Sequence, residues 1–208
     1  MAGFLRRYTN AMSLIDMVMK RTITLLPTTT WVDRNDRRAI EIYKAKTGTA
    51  GVVALCLAEA SETFHHWRIF TGGDSGVCIE FDKDAFVELF PDGSNFRHGP
   101  VRYMKMRDLQ KATNIGLSDL PFLKRRGFSA EKEYRVIGTT NAEVDTLSVP
   151  VDLAIVRKVT FSPFMNPVLA KSVRKLICTI PDCASLRWGQ SKLIESQSWL
   201  KAIDRLTD

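Results

Sequence analysis

The sequence contains no hydrophobic run long enough to cross a membrane, since no stretch approaches the roughly 18 consecutive apolar residues that a bilayer span needs. Its first residues, Met1–Arg7, become basic before an apolar segment has formed, which is unlike a secretory signal peptide. We therefore expect a cytoplasmic protein without a membrane partner. In a reducing compartment its four cysteines are expected to stay free thiols.

Several motifs of common enzymes are also missing. The segment Gly72–Gly76 has neither the Walker nor the Rossmann glycine spacing, and there is no Gly-x-Ser-x-Gly elbow and no His-Glu-x-x-His helix. His65 and His66 are adjacent and would point about 100° apart on a helix. Cys178 and Cys183 are separated by more than the usual gap of a zinc pair. We expect no bound metal.

The composition is that of an ordinary globular protein. Of the 208 residues, 45% are hydrophobic and 25% are charged, which excludes a disordered, collagen-like or coiled-coil chain. No internal repeat and no Gly/Ser-rich or Pro-rich linker divides the sequence. We predict a single domain over residues 1–208, with a core over about 5–162 and a C-terminal brace over about 163–208.

Basic residues exceed acidic ones by 30 to 23, which gives a net charge of +7. This excess is typical of a face that binds phosphates, but it also occurs in proteins that are merely soluble. Three basic groups are clustered in sequence: Arg34, Arg37 and Arg38; Lys124, Arg125 and Arg126; and Lys171, Arg174 and Lys175, which share a helical face. RNA or DNA is therefore a candidate partner, and we predict that Lys124, Arg125, Arg126 and Arg135 contact it.

Hydrophobic periodicity predicts helices and strands that mix without regular alternation. The predicted helices cover residues 11–20, 36–46, 61–70, 82–90, 106–114, 121–127, 167–177 and 196–206. The predicted strands cover residues 21–26, 52–58, 76–81, 100–104, 132–138, 147–151, 155–161 and 185–188. This pattern favours an α+β fold over a doubly wound parallel sheet.

Three short polar segments are candidates for chemistry. Glu131, Glu133 and Arg135 would share one face of a strand, where they either line a pocket or form ion pairs on a solvated surface. Asn35 and Asp36 either serve a site or form an Asx-turn that caps a helix. The third segment is Arg7-Tyr8-Thr9, whose tyrosine is equally typical of a half-buried core position.

The order of these motifs resembles an uncharacterised bacterial domain family. The matching motifs, spread over about residues 7 to 160, are Tyr8, Asn35-Asp36, Trp67-Arg68-Ile69-Phe70, Gly76-Val77-Cys78-Ile79-Glu80-Phe81, Val101-Arg102-Tyr103, Lys124 and Glu131-Lys132-Glu133-Tyr134-Arg135. The chain departs from that family at Arg37, where a proline usually follows Asn-Asp, and at Phe128, where a tryptophan usually precedes the glutamates.

The same layout is more remotely similar to ADP-ribosyltransferases. That resemblance implies a split mixed or antiparallel sheet with flanking helices and a cleft for NAD, which is a substrate of these enzymes. It implies Glu133 as the catalytic carboxylate and Glu131 as the residue that orients the nucleophile. The implied NAD-binding residues are Arg7, Tyr8, Thr9, Asn35, Asp36, Trp67 and Phe70. Trp67 and Phe70 are as typical of a core as of a stacking platform.

Three functions follow as hypotheses. The first is an NAD-dependent ADP-ribosyltransferase that acts as a toxin or phage-defence effector on nucleic acid or an associated target, with an antitoxin or inhibitory protein as a possible partner. The second is a non-catalytic nucleic-acid-binding module. The third is a metal-dependent nuclease that uses Asp33, Asp36, Glu131 and Glu133.

Overall fold

Local sequence signals set both ends of the first helix. Asn10 accepts a hydrogen bond from the amide of Ser13 at 2.9 Å and so caps the N-terminus. The helix ends at Lys20, and the C-cap residue Arg21, with a φ of 54°, turns the chain into the next strand. The predicted helix over 11–20 is therefore confirmed residue for residue.

The computed structural model describes residues 3–91 and 93–206. Within them the strands are β1 (Phe4–Asn10), β2 (Thr22–Pro27), β3 (Gly51–Ala58), β4 (Gly76–Asp82), β5 (Phe96–Pro100), β6 (Arg102–Met104), β7 (Leu123–Arg125), β8 (Glu133–Thr140), β9 (Leu147–Pro150), β10 (Val156–Phe161) and β11 (Trp188–Gln190). The α-helices are α1 (Ala11–Lys20), α2 (Arg34–Thr47), α3 (Phe64–Phe70), α4 (Lys83–Val87), α5 (Met106–Lys111), α6 (Pro167–Ile177) and α7 (Gln197–Asp204).

Nine of the described strands form one mixed sheet. Its order is β11-β10-β4-β1-β3-β2-β9, with β8 pairing to β3 and β5 to β8. All pairs are antiparallel except β10 with β11. The separate pair β6–β7 is parallel. The predicted α+β class with a mixed sheet and flanking helices is confirmed.

The main hydrophobic core covers one face of the sheet. Leu5, Leu55, Ile79 and Val136 come from its central strands and are fully or almost fully buried. Helix α1 packs against them with Leu14, Met17 and Val18, and α6 adds Ala170 and Ile177. Because side chains alternate along a strand, the residues between these point to the opposite face, which carries the polar groups described below.

Some elements differ from the sequence-based expectation. Residues 4–10 form a strand that was not predicted, and residues 121–127, predicted as a helix, divide between the end of one 3-10 helix, β7 and the start of another. The last strand lies at residues 188–190, three residues later than expected. No helix of the described residues is long and apolar enough to cross a bilayer.

Candidate active site

Five charged side chains, Asp36, Lys124, Glu131, Glu133 and Arg135, form a buried charge cluster. The ammonium of Lys124 lies 2.7 Å from Glu131, 3.1 Å from Glu133 and 3.5 Å from Asp36. Arg135 donates from Nε to Glu133 Oε1 at 2.8 Å and from Nη2 to Asp36 Oδ2 at 2.6 Å. Each side chain is at least nine-tenths buried, so these ion pairs are shielded from water.

Distant parts of the chain bring the charge cluster together. Glu133 and Arg135 project from the same face of β8 because they are two residues apart on a strand. Asp36 lies in the first turn of α2, which begins after the capping residue Asp33. Lys124 is the middle residue of β7. Through these ion pairs, α2 and β7 are held against the polar face of the main sheet.

Glu131 reaches the charge cluster because of a left-handed backbone conformation at the next residue, and not because side chains alternate along a strand. It ends a 3-10 helix, and Lys132 after it has a φ of 47°, in the left-handed region. The expectation that Glu131, Glu133 and Arg135 share one face of a strand is therefore wrong for Glu131. The turn at Lys132 redirects the chain so that both glutamates still bind Lys124.

The surroundings of the two glutamates shift their pKa values in opposite directions. Burial alone would raise the pKa of Glu133, but Arg135 and Lys124 outweigh it and bring that pKa to about 2. Burial raises the pKa of Glu131 above its ordinary value, with Lys124 opposing. Burial likewise raises the pKa of Asp36 against Arg135 and Lys124. With all five groups ionised, three carboxylates and two cations leave one net negative charge.

A carboxylate pocket of about 100 Å³ opens beside the cluster. Its lining side chains include Glu131, Glu133, Arg6, Tyr8, Cys56 and Phe70. The Tyr8 ring stacks on His66 with centroids 4.8 Å apart, and its buried hydroxyl lies beside the Cys78 thiol, which is a weak hydrogen-bond partner. Burial also raises the pKa of Tyr8, so the hydroxyl stays protonated and can donate to a ligand.

Arg7 and Tyr8, which were expected to line one cleft together, lie on opposite faces of β1. Tyr8 faces the carboxylate pocket, whereas Arg7 lines a separate cavity of about 400 Å³ next to α1, here called the Arg7 cavity. Strand alternation is the reason, and it also places Thr9 on the Arg7 side. Arg7 is 7% exposed and forms no hydrogen bond or ion pair with the described residues. Burial lowers its pKa to about 10, so it remains a cation.

Of the other residues expected to bind NAD, only some lie at the carboxylate pocket. Phe70 lines the carboxylate pocket, but Trp67 is 1% exposed, packs edge-on against Tyr8 and donates to Glu62. Trp67 is therefore part of the pocket wall and offers no free face for stacking. Asn35 lies at the start of α2, where its amide and side chain both donate to Asp33. The capping residue is Asp33 and not Asn35 or Asp36.

Two of the residues predicted to contact nucleic acid are placed elsewhere. Lys124 and Arg135 are buried and held by carboxylates, and the guanidinium of Arg135 also lies 4.6 Å from the centre of the Trp31 ring. Burial lowers the pKa of Lys124, but Glu133 and the other carboxylates more than compensate and raise it above its ordinary value. Neither side chain can reach a phosphate at the surface, so both assignments are corrected. Arg125 and Arg126 are exposed.

Sequence reasoning did not find four contributors to the site. Arg6 and Cys56 line the pocket, His66 supports Tyr8, and the Tyr103 hydroxyl accepts a hydrogen bond from the Glu133 amide at 2.9 Å. Alternation along β1 would have paired Arg6 with Tyr8, had residues 4–10 been recognised as a strand. Within residues 3–91 and 93–206, no group of three or more His, Cys, Asp or Glu is arranged to hold a metal ion.

One protein family matches the centre of the chain. A profile of the family described as "Protein of unknown function (DUF2971)" matches residues 66–136. This stretch contains the motifs from Trp67 to Arg135, so the expected resemblance to an uncharacterised family is confirmed there. The match is shorter than the predicted range of about 7 to 160. No curated protein matches the chain.

Solved structures of Thermus sp. 2.9 DarT are similar over most of the chain. Thermus sp. 2.9 DarT in complex with NAD+ is 11% identical, with a TM-score of 0.48 and coverage of 92% of this chain and 96% of that one. Thermus sp. 2.9 DarT in complex with ADP-ribosylated ssDNA is 10% identical, with a TM-score of 0.49 and coverage of 92% and 95%. These figures describe a likeness of fold and nothing more specific.

Proposed function

We propose that this protein is an ADP-ribosyltransferase that uses NAD as its substrate. One observation supports this most directly: Glu131, Glu133 and Tyr8 line one pocket whose adjoining charge cluster has a net charge of −1. Cleavage of NAD creates positive charge on the ribose as nicotinamide leaves. A buried negative site beside a hydrogen-bond donor is complementary to that change.

Glu133 and Glu131 have different tasks in the proposed mechanism. Glu133 stays ionised at physiological pH and stabilises the cation that develops at the ribose C1′ as its bond to nicotinamide breaks. The bonding electrons leave with nicotinamide, which departs as a neutral molecule. Glu131, whose pKa is raised, orients the acceptor and takes its proton when the acceptor bonds to C1′.

Substituting Glu133→Gln tests the central assignment. The change keeps the shape but removes the charge that stabilises the transition state, so nicotinamide release from NAD should fall roughly 10²- to 10³-fold in kcat. Release is measured by chromatography, and circular dichroism checks the fold. Glu143→Gln is the control, because that side chain is 89% exposed. Undiminished release in Glu133→Gln would refute the mechanism.

We assign Arg7 to the adenosine diphosphate half of NAD, which would pass from the carboxylate pocket to the opposite face of β1 where β1 and β3 separate, since these strands pair only at Arg6 and Ala58. A buried guanidinium without a hydrogen-bonded partner is energetically unfavourable. Asp16 also lines the Arg7 cavity, but its carboxylate is paired with Lys20 at 2.6 Å, so a bound anion would supply the charge that Arg7 lacks. Replacing Arg7→Gln should raise KM for NAD by about 10- to 100-fold while affecting kcat less, since a charged hydrogen bond contributes about 1.5–3 kcal/mol. The protein should not lose stability, because an unpaired charge is removed. Arg107→Gln, at an exposed position, is the control, and an unchanged KM in Arg7→Gln would exclude this role.

The acceptor in this proposal is nucleic acid, and the protein acts as a toxin or phage-defence effector. The net charge of +7 supports a polyanionic acceptor. Nicotinamide release that depends on added RNA or DNA is expected. If the protein binds oligonucleotides but releases no nicotinamide, it is a binding module. For the cellular role, expression of the wild-type protein should arrest bacterial growth and expression of Glu133→Gln should not.

A further inference from the structure

A continuous groove leads away from the carboxylate pocket. A cavity of about 510 Å³ shares Arg6 and Tyr8 with that pocket and shares Gln190 with a further cavity of about 230 Å³ beside α6. The Lys158 side chain, which lines the larger cavity, lies next to Gly189, which lines the smaller one. A methyl group added at Gly189 would be 3.0 Å from the Cε of Lys158. We call the two cavities together the basic groove.

Four cations of the basic groove form no ion pair with the described residues. Lys158 and Lys192 line its inner cavity, and Lys171 and Arg174 line its outer one. All four are exposed, and none forms an ion pair with another residue in the described part of the chain. Unpaired cations along a groove attract anions and raise their local concentration, which favours an anionic ligand.

The acidic groups of the groove are already engaged. Glu80 pairs with Arg6 at 2.7 Å. Glu62 accepts hydrogen bonds from the Trp67 indole at 3.0 Å and from the Ser191 hydroxyl at 2.7 Å. Glu62 keeps its negative charge because both of its donors are neutral. The five cations that line the groove still exceed its two carboxylates by three charges, so the groove has a net positive charge.

We propose that the basic groove binds the acceptor nucleic acid and leads one of its nucleotides to the carboxylate pocket. Cations spread over two connected cavities match the repeated phosphates of a strand better than the single pyrophosphate of NAD. A base stacked in a duplex must be flipped out before it can reach a buried reaction centre, and an unpaired strand avoids that cost, so we take the bound form to be a single strand. The aromatic side chain of Trp188 lines the outer cavity, where it can contact a base. This inference rests on the proposed function, since the groove ends at that site.

The double variant Lys171→Gln with Arg174→Gln tests the outer half of the groove. Its affinity for a short fluorescent single-stranded DNA or RNA is measured by anisotropy over a range of salt concentrations. The loss of two phosphate contacts should weaken binding about tenfold at low salt and reduce the slope of log K against log salt by about 1.4. The control, Lys44→Gln with Lys46→Gln, removes the same charge from the C-terminal end of α2, which lines neither cavity of the groove.

A second double variant, Lys158→Gln with Lys192→Gln, tests the inner half and should weaken binding similarly. Undiminished affinity in both double variants, or an equal loss in the α2 control, would overturn the proposal. So would a rise in KM for NAD in place of the loss of oligonucleotide affinity, because the groove would then serve NAD. Failure of the proposed function is recognised separately, by nicotinamide release that persists in Glu133→Gln.

Discussion

Glu131 and Glu133 are two residues apart and bind the same ammonium, yet their pKa values move in opposite directions. Glu133 receives two charged donors, Arg135 and Lys124, which more than offset burial. Glu131 has Lys124 as its close charged partner, and His65 approaches it only at 3.9 Å. One additional guanidinium thus separates a permanently ionised carboxylate from one that can exchange a proton.

The pH profile of kcat/KM should show this division. Glu131 must be deprotonated to accept a proton, so activity should fall as pH decreases through a value above 4.5, the ordinary pKa of a glutamate. Glu133 stays ionised down to about 2 and adds no limb in the accessible range. The acid limb should disappear in Glu131→Gln, measured with residual nicotinamide release. An unchanged limb in that variant would assign it to another group.

Sequence reasoning found the acidic pair but not its charged surroundings. Glu133 and Arg135 were recognisable because strand alternation is a local rule. Lys124 and Asp36 are 9 and 97 positions away from Glu133 in the chain, and no local rule relates them to it. For the same reason the sequence predicts Lys124 and Arg135 as contacts of nucleic acid, since it does not show which charge will be buried beside a carboxylate.

At the scale of elements, the junction between the 3-10 helix and β8 determines the geometry of the site. The φ of 47° at Lys132 is uncommon for a residue other than glycine, asparagine or aspartate. Nothing in the lysine side chain signals this conformation. The expectation that Glu131 shares one strand face with Glu133 and Arg135 is therefore wrong for Glu131, although both glutamates contact Lys124.

Substitutions at Lys132 test this junction. Asparagine tolerates the left-handed region, whereas valine does not, so Lys132→Val should be about 1–2 kcal/mol less stable than Lys132→Asn. Lys132→Val should also lose more activity, because a shifted Glu131 no longer meets the acceptor. Urea unfolding and nicotinamide release provide the two measurements. Equal stability of the two variants would show that the left-handed turn is not required.

Elements with strong local signals were predicted well, and those held by tertiary contacts were not. Helix α1 has a capping asparagine and an apolar stripe, and both its ends were predicted. The segment 117–131 depends on distant groups, since Arg97 donates to the carbonyl of Ser118 and Arg135 to that of Pro121. Those arginines come from β5 and β8, so the local sequence could not predict the conformation of this segment.

At the scale of the whole molecule, the C-terminal segment contributes to the main core as well as to the basic groove. Met165, Ala170, Ile177, Cys183 and Leu186 belong to the same buried cluster as the residues of β1 and β4. Strand β11 extends the sheet, and Trp188 stacks on Phe161 with ring centroids 5.5 Å apart. In contrast, α7 buries none of its residues. The predicted brace over 163–208 thus combines two parts with different structural roles.

Two truncations distinguish these parts. A chain that ends at Asn166 loses several buried side chains worth about 1.5–3 kcal/mol each, which together approach the 5–15 kcal/mol stability of a typical domain, so it should not fold cooperatively. A chain that ends at Ser196 loses only α7, and its unfolding free energy should change by less than about 1 kcal/mol. Urea unfolding followed by circular dichroism compares both with the full chain. A cooperative transition in the shorter chain would show that the core over residues 5–162 folds without α6 and β11, and that the groove is an accessory to it.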